Sequence, residues 1–516
     1  MLAFTAVILT AIGGIFSFTR QAQILQQNSY FPSRYLRWLK GEFSFRAVFS
    51  LIFLCLSAIL MFLRLDALFI ILSAAVCVFK INYCISRQKK SIKPLVFTAR
   101  VKRQYITASV ILAALSVIGI LSECRFLYLA VLILSFMPCV TVLLARTVNQ
   151  PIETLITQGF IADAKKKLKS VVGIKVIGIT GSYGKTSTKY VLAEFLSQKY
   201  NVVFTPASFN TPLGVVRTIR ESLRPDTQIF IAEMGAKKTG DIKEICDIVS
   251  PDMGIITSCG PQHLDTFLTI ENVVSTKFEL ADCVLKKGGD IFLNFDSELI
   301  AQKARNMNCV SYGTDGEYRC ENVKYSAAGA QFDIVYPDGS IHIRTKLLGM
   351  HNVLNITAAA ALSLKLGVNP RDIAFAASRL KPVSHRLEMK SFIKGSTLLD
   401  DAYNSNPVGC IEAVKVLSQF EGMKKVIVTP GLVELGEKEY ECNYNLGAAA
   451  ADTCDVIILV GEQRAVPLKK AIDDKGSAAE VSIVKSFKEA MNILSSITDK
   501  NTVVLFENDL PDNYSK

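Results

Sequence analysis

The run Ile177-Gly178-Ile179-Thr180-Gly181-Ser182-Tyr183-Gly184-Lys185-Thr186-Ser187 sets glycines, a lysine and hydroxyls between an apolar stretch and a helical pattern over 189–198. Glycine lets backbone N–H groups turn toward an anion, and a helix N-terminus adds its dipole, so this order suits a loop that cradles phosphates. Gly181, Ser182, Gly184, Lys185, Thr186 and Ser187 would line that loop around ATP. Lys185 would neutralise the β- and γ-phosphates, and the Thr186 hydroxyl would hold Mg²⁺. The step from Gly181 to Gly184 is shorter than in the usual phosphate loop.

Six further groups follow in order. They are Ile231-Ala232-Glu233-Met234-Gly235-Ala236, the 257–265 segment holding Gly260-Pro261-Gln262-His263-Leu264, and Thr276-Lys277-Phe278-Glu279. Then come Gly349-Met350-His351-Asn352-Val353-Leu354-Asn355, Asp400-Asp401-Ala402-Tyr403-Asn404-Ser405-Asn406-Pro407 and Glu434-Leu435-Gly436-Glu437. With the loop, this succession resembles the Mur ligase family over about 173–504, and is nearest to the branch that adds D-alanyl-D-alanine to the UDP-muramoyl tripeptide.

The resemblance implies roles. Glu233, at the C-terminal end of an apolar strand, would be a Mg²⁺ ligand with Thr186, a placement that suits a hard cation. His263 would serve a second metal position. Lys277 would support the metals, as a lysine that the family often carries carbamylated. Asn352 would contact the adenine side of ATP, and Arg386 would open the third domain and reach the phosphates. Asp401, Tyr403 and Asn404 would close over ATP as that domain swings in. Lys185, Lys277, His263 and Arg386 would form the catalytic set.

These residues need strands and helices to hold them. Short β-branched runs at 175–179, 202–204, 229–232 and 253–257 alternate with helical patterns, which predicts a parallel sheet with right-handed crossovers. A polar, turn-rich insert at 308–348 reads as antiparallel strands, and βα alternation resumes at 425–429 and 456–460. The expected fold is an α-helical membrane region followed by α/β: a parallel-sheet ATPase domain of the phosphate-loop kind and a smaller Rossmann-like C-terminal domain. The expected boundaries are 1–150, 151–382 and 383–516.

Composition explains the first segment. Half of the 516 residues are hydrophobic and the mean hydropathy is +0.31, which points to membrane segments. Apolar runs at 3–18, 47–63, 67–84, 105–121 and 126–144 approach the roughly 20 residues that span a bilayer, which predicts about five transmembrane helices. Residues 1–150 carry 16 Lys and Arg against Glu42, Asp66 and Glu123, while the remainder is balanced to within one charge. These cations flank apolar runs, so anionic lipid rather than nucleic acid is the expected partner. They cluster at 19–46 and 80–104, and under the positive-inside rule this puts the N-terminus outside and everything after 144 in the cytoplasm of a bacterium. The 13 cysteines show no CxxC pair and no metal spacing with the four histidines, so reduced thiols are expected.

Three departures concern substrate. The family's UDP-binding first domain is replaced here by the apolar runs, which favours an acceptor held in the bilayer over a soluble UDP-linked one. Val504-Leu505-Phe506-Glu507-Asn508-Asp509 brings acids where the family reads a lysine, and Pro430-Gly431-Leu432-Val433 also differs. Asn210-Thr211 stands for a paired asparagine. The expected reaction joins a carboxylate-bearing envelope precursor to an amino acid or dipeptide amine through an acyl-phosphate. A poly-γ-glutamate-type polymer synthase and a non-catalytic membrane scaffold are the alternatives. A transporter is disfavoured, because no ABC-type signature is present and no apolar run carries a central charge.

Overall fold

A computed structural model describes residues 2–28, 30–41, 45–89, 94–261, 264–326, 329–381, 385, 387–402, 406–433 and 435–508. The chain divides into two compact units, Met1–Gly159 and Phe160–Lys516.

The first unit is helical: α1 (Leu2–Gln27), α2 (Pro32–Gly41), α3 (Phe45–Phe62), α4 (Asp66–Lys89), α5 (Ala99–Ser122), α6 (Arg125–Phe136) and α7, which starts at Pro138 and runs to Ser170. Aliphatic and aromatic side chains fill its interior, with Phe18 set edge-on to Tyr105 at 4.9 Å. Among the described residues, three helices are long and apolar enough to cross a membrane, where about five were expected: Phe4–Gln27, Asp66–Ser86 and Ala99–Ser122. The 126–144 run is not one helix, because α6 and α7 meet at 99° and make a fourth span only if taken together. The break has a local cause: Pro138 lacks an N–H and disfavours α geometry in the residue before it, and Met137 sits at φ −112°, ψ 68°. The fifth apolar run lies in α3, whose residues Val48–Phe62 form an apolar helix. One span also carries a cation inside it. The Lys80 ammonium donates to Ser135 O at 3.0 Å and lies 4.1 Å from the Phe136 ring centre.

The second unit holds two sheets. The first contains β1 (Lys175–Thr180), β2 (Val202–Phe204), β3 (Ile229–Glu233), β4 (Met253–Ile256), β5 (Asp290–Asn294), β6 (Val310–Gly313), β7 (Tyr318–Ser326), β8 (Gly329–Tyr336) and β9 (Gly339–Thr345), in the order β2-β3-β1-β4-β5-β6-β7-β8-β9. All pairs from β2 to β7 are parallel, and β7-β8-β9 is an antiparallel meander. The polar insert is therefore no separate layer; it extends the same sheet, which is mixed. The second sheet contains β10 (Glu388–Ser391), β11 (Thr397–Asp401), β12 (Lys424–Thr429), β13 (Val456–Val460), β14 (Glu480–Val484) and β15 (Thr502–Glu507), ordered β10-β11-β15-β12-β13-β14 and parallel except for β10. β1, β3 and β4 are buried on both faces, as near-continuous Ile/Val strands of a covered parallel sheet must be.

Candidate functional site

β1 lies between β3 and β4, with Ile179 in register with Glu233 and Thr180 with Ile256. The strand exits of all three thus converge where an open α/β sheet binds ligands. β1 leads into Gly181–Gly184, and the helix Lys185–Leu196 starts at once. Gly181 and Gly184 have φ of +149° and +81°. A β-carbon on Gly181 would stand 2.1 Å from Thr257 Oγ1, so the loop needs glycine for conformation and for space.

The loop is braced from β4's exit. Ser182 N donates to Ser258 O at 2.8 Å, Tyr183 N donates to Ser258 Oγ at 2.8 Å, and Gly260 N donates to Ser182 Oγ at 3.1 Å. Thr257 Oγ1 donates to the Tyr183 carbonyl. Lys185 Nζ bends back over the loop, donating to Gly181 O at 2.6 Å and Ser182 O at 3.0 Å.

Glu233 is the centre of the site. Its side chain is 1% exposed. Oε1 accepts from Thr186 Oγ1 and from Asn210 Nδ2, each at 3.1 Å, and Oε2 accepts from Lys189 Nζ at 2.9 Å. Lys189 is fully buried and also donates to Ala207 O at 2.5 Å. Thr186 and Lys189 are three residues apart, so one helix face presents both. A lone carboxylate at this depth would be expensive; pairing and hydrogen bonding are what make it tolerable.

Asn355 approaches from the helix Met350–Lys365, its Oδ1 accepting from Thr188 Oγ1 at 2.9 Å. Its Nδ2 is buried with no hydrogen-bond partner among the described residues. Asn352 is buried in the first turn of that helix, donating to Leu348 O at 2.8 Å.

Lys277 lies in the helix Ile270–Lys286, 2% exposed. Burial pushes its amine down to about 8, with Cys259, Asp241 and Glu279 pulling the other way. The neighbouring Cys259 thiol is pushed up to about 12 by its own burial. Glu279, in the same motif, is a helix cap: it accepts from Gly240 N at 2.7 Å and Lys243 N at 2.8 Å.

Asp401 ends β11 and accepts from Leu387 N at 2.9 Å. Its neighbour Asp400 is buried, and takes His385 Nδ1 at 2.8 Å and Lys390 Nζ at 2.9 Å. His263, Arg386, Tyr403 and Asn404 lie outside the described residues.

The structure thus brings Thr186 and Glu233 together beside Lys185. Lys189 was missed by sequence reasoning, although it stands one turn beyond Lys185. Asn210 was noted only as a departure, and Asn355 only as the end of a motif. Among the described residues no three His, Cys, Asp or Glu side chains group as a metal cage. Thr186 and Glu233 still fit Mg²⁺, a hard cation that is held by one or two protein oxygens together with waters and substrate phosphates.

Residues 179–363 match the model of the Mur ligase middle domain, and residues 385–507 match that of the Mur ligase glutamate ligase domain. The two matches follow one another and together take in more than half of the chain. The chain belongs to the Mur ligase family. Among relatives of this Mur ligase, the UDP-N-acetylmuramoyl-tripeptide–D-alanyl-D-alanine ligase of Bacillus subtilis is 29% identical over 343 residues, 65% of this chain and 73% of the relative. MurF from Acinetobacter baumannii has a similar structure, with a TM-score of 0.62 and 26% identity over 68% of this chain and 77% of that one. MurF from Thermotoga maritima, solved with ADP, gives 0.61 and 26% over 68% and 80%. As a member, the chain is an ATP-dependent ligase that forms carbon–nitrogen bonds. Residues 1–178 lie outside both domain matches.

Proposed function

We propose that this Mur ligase joins the carboxylate of a cell-envelope precursor to an amine through an acyl-phosphate, working from the bacterial cytoplasmic membrane. The observation that carries the reading is Glu233, fixed by Thr186 and Lys189 beside a phosphate loop whose lysine is in place. The proposed organisation is a transmembrane region over 1–150, an ATP-binding domain over 151–382 and a closing C-terminal domain over 383–516.

In this reading Lys185 and the loop amides bind ATP and stabilise the charge that develops as the precursor's carboxylate takes the γ-phosphoryl group. Thr186 and Glu233, with His263 and a carbamylated Lys277 at a second position, would hold Mg²⁺, which neutralises phosphate charge when bound. Asn352, Arg386, Asp401, Tyr403 and Asn404 would grip the nucleotide as the C-terminal domain closes and sheds water. The amine then attacks the acyl-phosphate, a C–N bond forms, and phosphate leaves beside ADP.

D-alanyl-D-alanine is the first amine to try, because the relatives' names carry it. A lipid-linked acceptor is favoured over a UDP-linked one because, among the described residues, three helices of the first 159 are long and apolar enough to cross a membrane. The test is phosphate release by the detergent-purified chain with ATP, Mg²⁺ and D-alanyl-D-alanine. A UDP-muramoyl tripeptide and its lipid-linked equivalent are offered in parallel, with Lys185→Ala as control. Turnover on the UDP compound would sink the lipid acceptor. Silence with both would turn attention to the polymer synthase, and silence with every amine would favour the scaffold.

A further inference from the structure

Two polar stripes run along helices of the first unit that are otherwise largely apolar. On α5 the stripe is Arg100, Arg103, Gln104 and Thr107; on α7 it is Arg146, Asn149, Gln150 and Glu153. Both follow the i, i+3, i+4, i+7 spacing of a single helix face. The stripes meet head to tail. Thr107 Oγ1 and Asn149 exchange hydrogen bonds of 3.1 and 2.9 Å, and Arg103 Nε donates to Glu153 Oε1 at 2.7 Å. Arg100 Nε lies 3.8 Å from Glu153 Oε2, and its guanidinium covers the Tyr30 ring at 4.0 Å. Arg146 lies one helical turn before Asn149 on the same face of α7.

The cluster is not balanced. Arg100 and Arg103 share one acid, and Arg146 adds a third cation one turn before Asn149. Nε of Arg100 and of Arg146 are shut off from water without a hydrogen-bond partner among the described residues, as are Oε1 of Gln104 and Gln150. Half-buried cations in excess, with their own Nε–H donors unused, are costly unless an anion joins them. A phosphate group matches: it brings charge and several acceptor oxygens in a shape that guanidinium groups grip in pairs.

The position names the carrier. Arg100 and Arg103 occupy the first turns of the span Ala99–Ser122, at the depth of lipid headgroups. Exposed Val96 and Phe97 lie close by in sequence, exposed Phe31 follows Tyr30, and the adjoining α2 is a basic amphipathic helix with Arg34, Arg37 and Lys40. We propose that this arginine cluster binds the phosphate-bearing headgroup of a membrane lipid. The proposal rests on the first unit lying in a bilayer and is independent of the ligase chemistry.

The full chain, in phosphatidylcholine nanodiscs, would be titrated with fluorescent phosphatidylglycerol and separately with a fluorescent long-chain prenyl diphosphate, with inorganic diphosphate as soluble competitor. Saturable binding of either lipid is expected, weakened roughly tenfold by Arg146→Gln and by Arg100→Gln, and largely kept by Arg146→Lys. Arg34→Gln, outside the cluster, should bind like the parent. The lipid that binds more tightly identifies the source of the phosphate. Equal binding by the parent and both glutamine variants, each still melting cooperatively, overturns the site. Should those two glutamine variants fail to fold, loss of binding by Arg103→Gln against retention by Arg34→Gln decides in its favour, and equal binding by those two decides against it. Full displacement of the lipid by inorganic diphosphate overturns the lipid assignment. Release of the chain from membranes by alkaline carbonate overturns the bilayer reading itself, a failure distinct from the others.

Discussion

Asn355 and Gly184 are locked in one contact: a β-carbon on Gly184 would come within 2.7 Å of Asn355 Oδ1, the oxygen that also accepts from Thr188. The phosphate loop therefore takes its shape partly from a helix that starts more than 160 residues later. Gly184→Ala meets this clash at φ +81°, where a side chain is strained anyway. We expect a loss of about 1–3 kcal/mol in stability and at least a tenfold weaker ATP affinity, read by chemical denaturation and nucleotide titration. Unchanged affinity would show that the loop does not hold the nucleotide.

Lys189 and Glu233 form a pair sealed from solvent. Lys189→Met strands a buried carboxylate and should cost about 3–5 kcal/mol. Because the pair is buried, the parent's midpoint of denaturation should barely move between low and moderate salt. A loss under 1 kcal/mol for the variant would mean that Glu233 is solvated in solution.

Lys185→Ala should separate chemistry from folding. Phosphate release is expected to fall by a factor of about 10²–10³, while the melting temperature stays close to that of the parent. A variant with full turnover would remove Lys185 from the mechanism.

Lys277 predicts a pH signature. Its amine is held near 8 when folded, against 10.5 for an ordinary lysine, so between these values the unfolded chain binds more protons. Stability from this group is fully present above about 10.5 and is lost as pH falls toward 8, by on the order of 3 kcal/mol. Lys277→Met should therefore be more stable relative to the parent at pH 7 than at pH 10. Denaturant midpoints at the two values measure this. A parent–variant difference that ignores pH would show that solvent reaches the amine or, if mass spectrometry of the native chain finds the adduct, that the amine is carbamylated.

Much of this was legible in the residues. The loop follows local rules, so Gly181, Lys185 and Thr186 could be read from spacing, whereas Glu233 entered only through the family resemblance. The strand starts at Lys175, Val202, Ile229 and Met253 were read from β-branched runs. Lys189 was not legible, because a lysine on an amphipathic helix is ordinarily solvated, and only the packing of β3 and the 205–210 segment buries it. The sheet order escaped for the same reason: nothing local in 308–348 says that β6 joins β5. The apolar count misled over 126–144, where Pro138 carried the warning that hydropathy ignores.

The way Glu233 is held has a consequence for repeated turnover. A solvated glutamate would lose roughly 1–2 kcal/mol of side-chain freedom each time it was ordered around substrate. Thr186, Lys189 and Asn210 impose that ordering when the chain folds. With Glu233 in its proposed role, every catalytic cycle would begin with an acid that is already immobile, and the entropy of arranging it is settled once in the life of the molecule.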